Sequence, residues 1–468
     1  MKYDYDIICI GLGPAGMAVS IMASEMGLKV CGIEKDKIGG ECMNVGCVPS
    51  KALLKMARVN KIKFEGKEIS LDPTAASPFQ KIRDYVELVG DTKTSKMFKK
   101  VDLILGEGHA SFIDNHTVEV GGRKVSAKCI FLATGTEPAI PPIPGIDTVD
   151  ILTNKNLFGL NEIPKSMTVL GGGAIGTEMA QAFSRFGTKC TVIHMDSYLV
   201  PVGDPEAGSI LQDVFEKEGI KVHNGKSIVK VEKRGDNIAL ATEDGVEIVS
   251  EKLLVAAGRK IDLTSLNLEN AGVRYGKGGI EVNRYLQTTQ RNIYAVGDCN
   301  GNFLLTHAAM HQGMIALINS MNPWPFKKAF EKYIVPWTVF TEPQVSCVGM
   351  REKELKSRNI SYETIVTKYE DYGVAIAEEV AVGFVKVFAS SRGKIYGVSI
   401  IGEGSGEMIN EWALAIQKKI RIYDIMFCQH SFPTMGFLSK RAAETWMMGK
   451  MQSKFVKKVC KTVFKLFS

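Results

Sequence analysis

Two stretches of the chain share one pattern of apolar and glycine positions. The first has an apolar strand at residues 6–10, the turn GLGPAG at residues 11–16, and an apolar, helix-forming run at residues 17–26. The second has an apolar strand at residues 168–170 and the turn GGGAIG at residues 171–176, which opens a helix. Each pattern predicts a buried strand, a tight turn and a helix, so the chain contains two similar βα units.

Both turns have the composition of a dinucleotide-binding site. Glycines let backbone N–H groups approach a pyrophosphate at the N-terminus of the following helix. In the first unit, a strand at residues 29–33 ends at Glu34, where such units place the acid that binds a ribose hydroxyl. An ordinary βα turn is the alternative, but two such units in one chain make it the weaker interpretation. We expect cofactor contacts at Glu34 and at the turn glycines Gly11, Gly13, Gly16, Gly171, Gly173 and Gly176.

Composition indicates a soluble protein of several domains. With 468 residues the chain exceeds one hydrophobic core, and no apolar run reaches the roughly 18 residues of a membrane span. Six lysines of the +7 net charge fall in residues 450–468, so the rest of the chain is nearly neutral and no nucleic-acid partner is expected. Residues 1–10 do not resemble a secretion signal, so we expect a cytoplasmic protein whose ten cysteines are mostly reduced.

Two cysteines, Cys42 and Cys47, follow the first unit directly. An ideal helix rises about 7.5 Å over five residues, whereas a disulfide needs Cα atoms about 4.4 to 6.8 Å apart. Cys42 is therefore expected in a loop or a distorted first turn, which Gly46 helps to close. A helix N-terminus and Lys51 would lower the pKa of such an accessible thiol. The alternatives are two unrelated buried thiols or half of a metal site, but no matching Cys or His pair supplies further ligands, and no metal is expected.

The run GGECMNVGCVPSK at residues 39–51 resembles the redox-active segment of the FAD-dependent pyridine nucleotide-disulfide oxidoreductases, among them dihydrolipoamide dehydrogenase, glutathione reductase and mercuric reductase. The resemblance extends over most of the chain. It implies an α/β fold with two Rossmann-like domains, which bind FAD and NAD(P)H, and an α+β dimerisation domain that forms a homodimer. The expected domains are residues 1–148 and 266–330 for FAD, 149–265 for NAD(P), 331–446 for dimerisation, and 447–468 as a basic amphipathic helix.

The same resemblance implies roles for single residues. Cys42 is the outer thiol that meets the substrate, and Cys47 is the inner thiol against the flavin. Lys51 lies near flavin N5 and pairs with Glu178, and Asp298 binds the ribityl chain. Further cofactor contacts are implied at Ala110, Thr134, Gly135, Gly258 and Ala308.

The second unit carries His194 at the end of its second strand, where NADH-specific relatives carry an acid and NADPH-specific ones often carry arginine. Without a carboxylate a 2′-phosphate is not repelled, but only His194 is present to attract it, and Asp196 is close. NADH and NADPH both stay open, with a slight preference for NADPH. The alternative is a solvated residue at the strand end.

The resemblance fails at two functional positions. The family carries a catalytic His before Pro-Thr and a Glu three residues after that Thr, whereas Phe432 and Phe437 stand at these positions here. Phenylalanine transfers no proton, and general acid/base help is typically worth about 10² to 10⁴ in rate. Efficient turnover of lipoamide or glutathione is therefore not expected. His430 is either a displaced base or a structural histidine. Mercuric reductases also carry an aromatic residue at the His position, but Cys460 stands alone where they have a vicinal cysteine pair.

Residues 450–468 form a basic amphipathic pattern. When they are wound as a helix, the six lysines share a sector of about 100° and bulky apolar residues cover the remainder. This pattern is typical of a helix at the surface of an anionic membrane, here the inner face. The alternative is a helix that packs its apolar face on the dimer.

Three functions are compatible with these features. The first is an NAD(P)H oxidoreductase that passes electrons through flavin, Cys47 and Cys42 to a disulfide or soft-metal acceptor. The second is a membrane-surface NAD(P)H:quinone reductase or transhydrogenase that uses the flavin directly. The third is a non-enzymatic flavoprotein, which the intact Cys42, Cys47, Lys51 and Glu178 argue against. The acceptor itself cannot be named, because its pocket is where the family pattern breaks.

Overall fold

The structure is a computed structural model, and it describes residues 2–61, 63–64, 67–68 and 78–467. Contacts divide the chain into two compact units. The first unit comprises Met1–Gly171, Ala182–Val192 and Ser227–Lys332, and the second comprises Gly172–Gln181, Ile193–Lys226 and Tyr333–Ser468.

The described strands, in chain order, are β1 Tyr5–Ile10, β2 Val30–Glu34, β3 Lys63–Phe64, β4 Lys67–Glu68, β5 Asp102–Leu105, β6 Ser111–Phe112, β7 Thr117–Val120, β8 Arg123–Leu132, β9 Glu137–Pro138, β10 Ile151–Leu152, β11 Ser166–Leu170, β12 Lys189–Ile193, β13 Lys221–His223, β14 Ile228–Arg234, β15 Asn237–Thr242, β16 Glu247–Ser250, β17 Lys252–Val255, β18 Arg259–Lys260, β19 Tyr275–Gly276, β20 Gly279–Ile280, β21 Ile293–Ala295, β22 Trp337–Val339, β23 Gln344–Gly349, β24 Glu363–Lys368, β25 Phe384–Ala389 and β26 Ile395–Gly402.

The α-helices are α1 Pro14–Glu25, α2 Gly40–Asn44, α3 Cys47–Lys61, α4 Pro78–Glu87, α5 Asn154–Leu157, α6 Ala174–Arg185, α7 Pro205–Lys217, α8 Thr306–Met321, α9 Glu352–Ser357, α10 Gly373–Ala377, α11 Ser405–Lys418, α12 Ile422–Phe427, α13 Phe437–Met451 and α14 Lys454–Phe467.

The main sheet of the first unit has the strand order β5-β2-β1-β8-β7-β6, and β21 also pairs with β8. Strands β5, β2, β1, β8 and β21 run parallel to their neighbours. All residues of β2 are buried, as expected for a parallel strand that is covered on both faces. Because parallel strands end at the same edge, the turn after β1, Glu34 at the end of β2, and the segments after β8 and β21 lie along one edge of the sheet.

A second sheet contains β10, β17, β11 and β12, in this order. Strand β17 runs parallel to β10 and to β11, and the glycine turn at residues 171–176 follows β11 directly. The antiparallel strands β14, β15 and β16 form a separate small sheet. Both predicted strand, turn and helix patterns are therefore present, with α1 and α6 as the helices.

The second unit contains an antiparallel sheet in the order β22-β23-β26-β25-β24. Helices α11 and α13 cover it with a core that includes the fully buried Trp412 and Leu438. The indole N–H of Trp412 donates to Ser439 Oγ at 3.1 Å, which ties the two helices together.

The end of the chain differs from the predicted single helix at 447–468. Lys450 belongs to α13, where its ammonium donates to Glu363 Oε2 at 2.6 Å and lies over the Trp446 ring. This ion pair holds the end of α13 on β24, and a separate helix, α14, begins at Lys454. Residues 450–468 therefore do not form one continuous lysine face. Within the described residues, none of the helices is long and apolar enough to cross a membrane.

Candidate active site

The redox-active cysteines lie on two consecutive helices. Cys42 lies inside the short helix α2, and Cys47 is the first residue of α3. At the intervening Gly46, a Cβ would come within 2.8 Å of the Glu41 carbonyl oxygen and 3.1 Å of Cys42 Cα. A larger residue would therefore push the two helices apart, and Gly46 is required for the close approach of the cysteines.

The reduced cysteines are joined by a hydrogen bond. Its hydrogen bond to Cys47 raises the pKa of Cys42, and burial raises it further. The sequence-based expectation of a lowered pKa for Cys42 is therefore wrong for the reduced pair. The expectation considered only the helix terminus and Lys51, whereas the neighbouring sulfur has the larger effect.

Cys47 lies where the N-termini of two helices meet. It is exposed, and its Sγ lies 3.4 Å from Oγ1 of Thr306, the first residue of α8. Helix N-termini stabilise negative charge on nearby atoms, and the N-termini of both α3 and α8 lie beside this sulfur. Cys42 is half-buried. The inner and outer roles of the two sulfurs stay predictions.

The redox segment rests directly on the first glycine turn. The Gly39 N–H donates to the Leu12 carbonyl at 2.8 Å. A Cβ on Gly40 would lie 2.9 Å from Gly13 Cα. The start of α2 is therefore packed against the turn that is expected to hold a dinucleotide, which places the cysteines beside that site.

The three glycines of the first turn are required for different reasons. Gly11 has φ +92°, and a Cβ there would lie 2.4 Å from the Ala133 carbonyl oxygen. A Cβ on Gly16 would lie 1.9 Å from the Gly11 carbonyl oxygen. Gly13 has an ordinary φ of −68°, and the nearest atom to its Cβ would be Gly40 Cα at 4.0 Å. Among the residues that the structure describes, no contact requires glycine at position 13, which is what close approach of a pyrophosphate predicts.

Further groups at this edge fit FAD. No side chain caps the N-terminus of α1, so its N–H groups can bind phosphate oxygens. Glu34 is buried and accepts the Leu12 N–H at 2.8 Å, which places its carboxylate beside the turn. Asp298 accepts the Thr136 hydroxyl at 3.1 Å, and burial raises the pKa of Asp298. Of the other predicted contacts, Ala110 and Ala308 are buried, Thr134 is exposed, and Gly135 and Gly258 have φ +71° and +141°.

The sequence did not predict the contacts that hold helix α2 in place. The Arg259 guanidinium forms an ion pair with Glu41, the residue before Cys42. It also donates from Nε to Thr136 Oγ1 at 2.9 Å and from Nη2 to the Thr136 carbonyl at 2.8 Å. Asn154 adds a hydrogen bond to Glu41 at 3.2 Å. Helix α2 is thus held by segments that lie far away in the chain, and its position relative to Asp298 is fixed through Thr136.

The second glycine turn repeats the first. Gly171 has φ +127°, and a Cβ there would lie 2.3 Å from the Ala256 carbonyl oxygen. A Cβ on Gly173 would meet no atom within 4 Å. Gly176 is buried in the first turn of α6. No contact with the described part of the chain requires glycine at position 173, so this turn also fits a dinucleotide.

Comparison with known proteins decides the family. The pattern of the family described as "Pyridine nucleotide-disulphide oxidoreductase" matches residues 5–313, and that of its dimerisation domain matches residues 335–443. The chain belongs to the pyridine nucleotide-disulfide oxidoreductase family. The predicted fold class, the enzymatic character and the cofactors FAD and NAD(P)H are thereby confirmed, and the dimerisation domain supports a homodimer.

Similar members of the family have different names. A mercuric reductase of Staphylococcus aureus is 32% identical over 458 residues, which cover 95% of this chain and 82% of that protein. A dihydrolipoyl dehydrogenase of Thermus scotoductus is 34% identical over 456 residues, covering 94% of this chain and 97% of that protein. The HOCl-induced flavoprotein disulfide reductase RclA from Escherichia coli aligns with a TM-score of 0.85 at 25% identity, covering 95% of this chain and all of that chain. A structure of the Cu(II) complex of RclA aligns with a TM-score of 0.84 at 25% identity, covering 96% of this chain and all of that chain.

His194 is buried beneath the second turn of this disulfide oxidoreductase. A Cβ on Gly172 would lie 2.8 Å from its ring, and the side chain is 4% exposed. Its Nε2 is 2.7 Å from Asn224 Oδ1, whose amide nitrogen donates to Gln212 Oε1. Its Nδ1 has no hydrogen-bond partner among the described residues and lies 3.8 Å from the Asp196 carboxylate. The interpretation of His194 as a solvated residue is therefore wrong.

Glu178 lies in α6 and is buried. Its Oε1 accepts the backbone N–H of Phe340 at 2.9 Å. One turn later, Gln181 exchanges two hydrogen bonds of 2.7 Å with the backbone of Glu342. These contacts join α6 to the segment before β23. The pairing of Glu178 with Lys51, which lies in α3 one turn after Cys47, stays a prediction.

Phe432 and Phe437, which are predicted to stand at the positions of the family's His/Glu acid/base dyad, form an aromatic pair. Phe432 is exposed and lies edge-on to Phe437, with ring centroids 5.3 Å apart. His430 lies beside them in the chain, and its Nε2 is 2.8 Å from Glu411 Oε1. A His/Glu pair is therefore present, but Glu411 comes from α11 and neither residue stands at a dyad position. Sequence reasoning did not identify Glu411.

Proposed function

We propose that this protein oxidises NAD(P)H and passes the electrons through Cys47 and Cys42 to a soft metal ion, or less efficiently to a disulfide. The main support for the proposal is the hydrogen-bonded pair of Cys42 in α2 and Cys47 at the start of α3, beside the first glycine turn on which α2 packs. FAD, when bound, takes a hydride from NAD(P)H and supplies an electron pair to the cysteines.

The cysteines store that electron pair as two thiols. Uptake of two electrons and two protons breaks the Cys42–Cys47 disulfide, after which Cys42 keeps its proton in the hydrogen bond to Cys47. A soft cation has high affinity for thiolates and displaces both protons. When two electrons pass to one such cation, or one electron to each of two, the disulfide forms again and the protons leave to water.

Reduction of a disulfide acceptor also requires a proton donor. The Cys42 thiolate must attack one sulfur, the acceptor's S–S bond breaks, and the departing thiolate needs a proton. Neither Phe432 nor Phe437 can donate one, so this step loses a factor of about 10² to 10⁴. A metal acceptor has no such leaving group. The relatives named mercuric reductase and the Cu(II) complex of RclA favour the same choice.

A second candidate is a membrane-surface quinone reductase or transhydrogenase that draws electrons directly from the flavin. The exposed amphipathic helix α14 favours it, because such an enzyme must remain close to lipid-soluble quinone. In this case the cysteines would be dispensable for turnover.

The acceptor is tested with the FAD-loaded enzyme. NADH or NADPH is added without oxygen, and free thiols are counted by alkylation and mass measurement. We expect two new thiols, at Cys42 and Cys47. Oxidation of the coenzyme is then followed with Hg²⁺, Cu²⁺, lipoamide, glutathione disulfide and menadione as separate acceptors.

Cys42→Ser separates the candidates. We expect it to abolish metal-dependent oxidation of the coenzyme, with Cys190→Ser as the control because that thiol is buried away from the pair. Full metal reduction by Cys42→Ser would contradict the proposal. The quinone reductase would be favoured by two results together. The wild type would reduce menadione but neither metal ions nor disulfides, and Cys42→Ser would still reduce menadione.

A further inference from the structure

Helix α14, Lys454–Phe467, has no buried residue. At about 100° per residue, Lys454, Lys457, Lys458, Lys461 and Lys465 fall within a sector of about 100°. The opposite side carries bulky apolar residues that are largely exposed to solvent. These residues are Phe455, Val459, Val463, Leu466 and Phe467.

The charge of this helix is not balanced by its surroundings. Residues 450–468 hold no acid, and the five lysines make no ion pair with the described residues. Lys457 donates only to the neutral amide oxygen of Gln452, at 2.8 Å. By contrast, Lys450 in α13 is neutralised by Glu363. The lysine face is therefore available to an anionic partner, which this part of the chain does not provide.

The apolar face requires a partner as well. A helix of this length is marginal by itself in water, and most helices in proteins are stabilised by packing an apolar face. Here that face includes Phe455 and Leu466, whose side chains are 74% and 73% exposed. A partner must therefore offer an apolar phase and negative charge to opposite faces of one helix.

A second copy of the helix does not meet both needs. Paired helices bury their apolar seams and place flanking charges beside one another, which favours association only when acids face lysines. Two copies of α14 would place lysines beside lysines. The surface of an anionic bilayer meets both needs, because the apolar face enters the acyl boundary while the flexible lysine stems reach the headgroups.

We propose that α14 binds the surface of an anionic bilayer, with Phe455, Val459, Val463 and Leu466 in the acyl boundary and the five lysines at the phosphate groups. This inference is independent of the electron acceptor. It adds a membrane-binding surface to the enzyme, whichever substrate its cysteines reduce.

The test is sedimentation of the full-length, FAD-loaded enzyme with vesicles. Vesicles of phosphatidylcholine alone are compared with vesicles that also contain phosphatidylglycerol. We expect sedimentation only with phosphatidylglycerol and weaker binding as salt is raised, because salt screens the lysines. Equal behaviour with both vesicles, or no sedimentation with either, would overturn the proposal.

Three variants locate the binding. Phe455→Glu with Leu466→Glu should abolish sedimentation even at low salt, and Lys458→Glu with Lys461→Glu should weaken binding at least about tenfold. The matched control, Lys233→Glu with Lys277→Glu, changes the net charge equally at exposed residues elsewhere and should leave a smaller effect. Because α14 has no buried residue, these variants should keep the melting temperature and the activity in solution.

Two results would assign the helix differently. If a chain that ends at Met451 sediments as the wild type does, the membrane-binding surface lies elsewhere and the proposal is wrong. If Phe455→Glu with Leu466→Glu converts a dimer to a monomer, as measured by light scattering, α14 is a subunit contact and the proposal is also wrong.

Discussion

The Nε2 of His430 lies 2.8 Å from the carboxylate of Glu411, and its Nδ1 lies 3.2 Å from the carbonyl oxygen of Cys428. Both ring nitrogens therefore have partners within the same unit. The side chain is also largely buried, at 11% exposure. A catalytic base needs a nitrogen that can reach the substrate, so these contacts favour a structural role in holding the 428–436 segment against α11.

We predict that His430→Ala lowers the melting temperature but leaves the metal-dependent kcat within about threefold of the wild type. Loss of the His430 and Glu411 contact should loosen the loop rather than remove a proton carrier. Glu411→Gln keeps a hydrogen-bond acceptor and serves as the milder control. A fall of a hundredfold or more in kcat with unchanged melting temperature would show that His430 is the displaced base.

Introducing a His/Glu pair at positions 432 and 437 tests the proposal that a missing acid/base dyad makes disulfides poor substrates. We predict that Phe432→His with Phe437→Glu raises the lipoamide kcat at least tenfold, because the two residues regain general acid/base function that is typically worth about 10² to 10⁴. Metal-dependent turnover should change little.

The matched control is Phe432→Ala with Phe437→Ala, which removes the same edge-on aromatic contact and adds no proton carrier. An equal gain in lipoamide turnover from the alanine variant would mean that steric access, not proton transfer, limits the reaction. No gain from either variant would contradict the proposal that the loss of acid/base residues limits disulfide turnover.

The sequence predicted the features that depend on neighbouring residues. The two glycine turns, their flanking elements and the Cys42/Cys47 segment all follow from short-range patterns, and all are present. It did not identify Arg259 as the partner of Glu41, or Thr306 as that of Cys47, because these pairs are separated by 218 and 259 residues. Only the tertiary fold brings them together.

The sequence pattern did not predict where the C-terminal helix begins. The helical pattern runs through residues 447–468, and nothing local separates Lys450 from the lysines that follow it. In the structure α13 ends at Met451 and α14 begins at Lys454, and Lys450 pairs with Glu363 on β24, 87 residues earlier in the chain. Amphipathic periodicity was therefore right about the character of α14 and wrong about where it begins.

The contrast between Gly11 and Gly13 gives a third prediction. Gly13→Ala should fold normally, because φ is ordinary and no atom obstructs a Cβ, but its affinity for FAD should fall at least about tenfold. Gly11→Ala should unfold or aggregate, because a Cβ there meets the Ala133 carbonyl and a positive φ costs about 1 to 3 kcal/mol. Apo-protein melting and FAD titration distinguish the two effects. If Gly13→Ala binds FAD as tightly as the wild type does, the pyrophosphate of FAD does not closely approach this residue.

Burial of Asp298 gives a pH-dependent prediction. Burial raises the pKa of this carboxyl above its ordinary value of 3.8, so the charged form is disfavoured in the folded protein. The contribution of Asp298 to stability is therefore greatest in acid and is lost as the pH rises through the raised pKa. Asp298→Asn should make the apo-protein more stable than the wild type near pH 7, and this difference should shrink toward pH 4. Melting curves of both apo-proteins across this range test the sign, and a less stable variant at pH 7 would contradict it.

The position of His194 bears on the choice of coenzyme. Its ring supports Gly172 from below, and Nε2 is committed to Asn224, so a 2′-phosphate would meet little of the side chain. We predict that His194→Ala raises KM for NADH and NADPH by similar factors, because the glycine turn loses its support and either coenzyme binds to that turn. Asn224→Ala leaves the ring in place, removes only its hydrogen bond and should have a smaller effect of the same kind. Steady-state kinetics with both coenzymes measure the ratio directly. If His194→Ala raises KM for NADPH alone, His194 contacts the phosphate, and the preference for NADPH that its position suggested is correct.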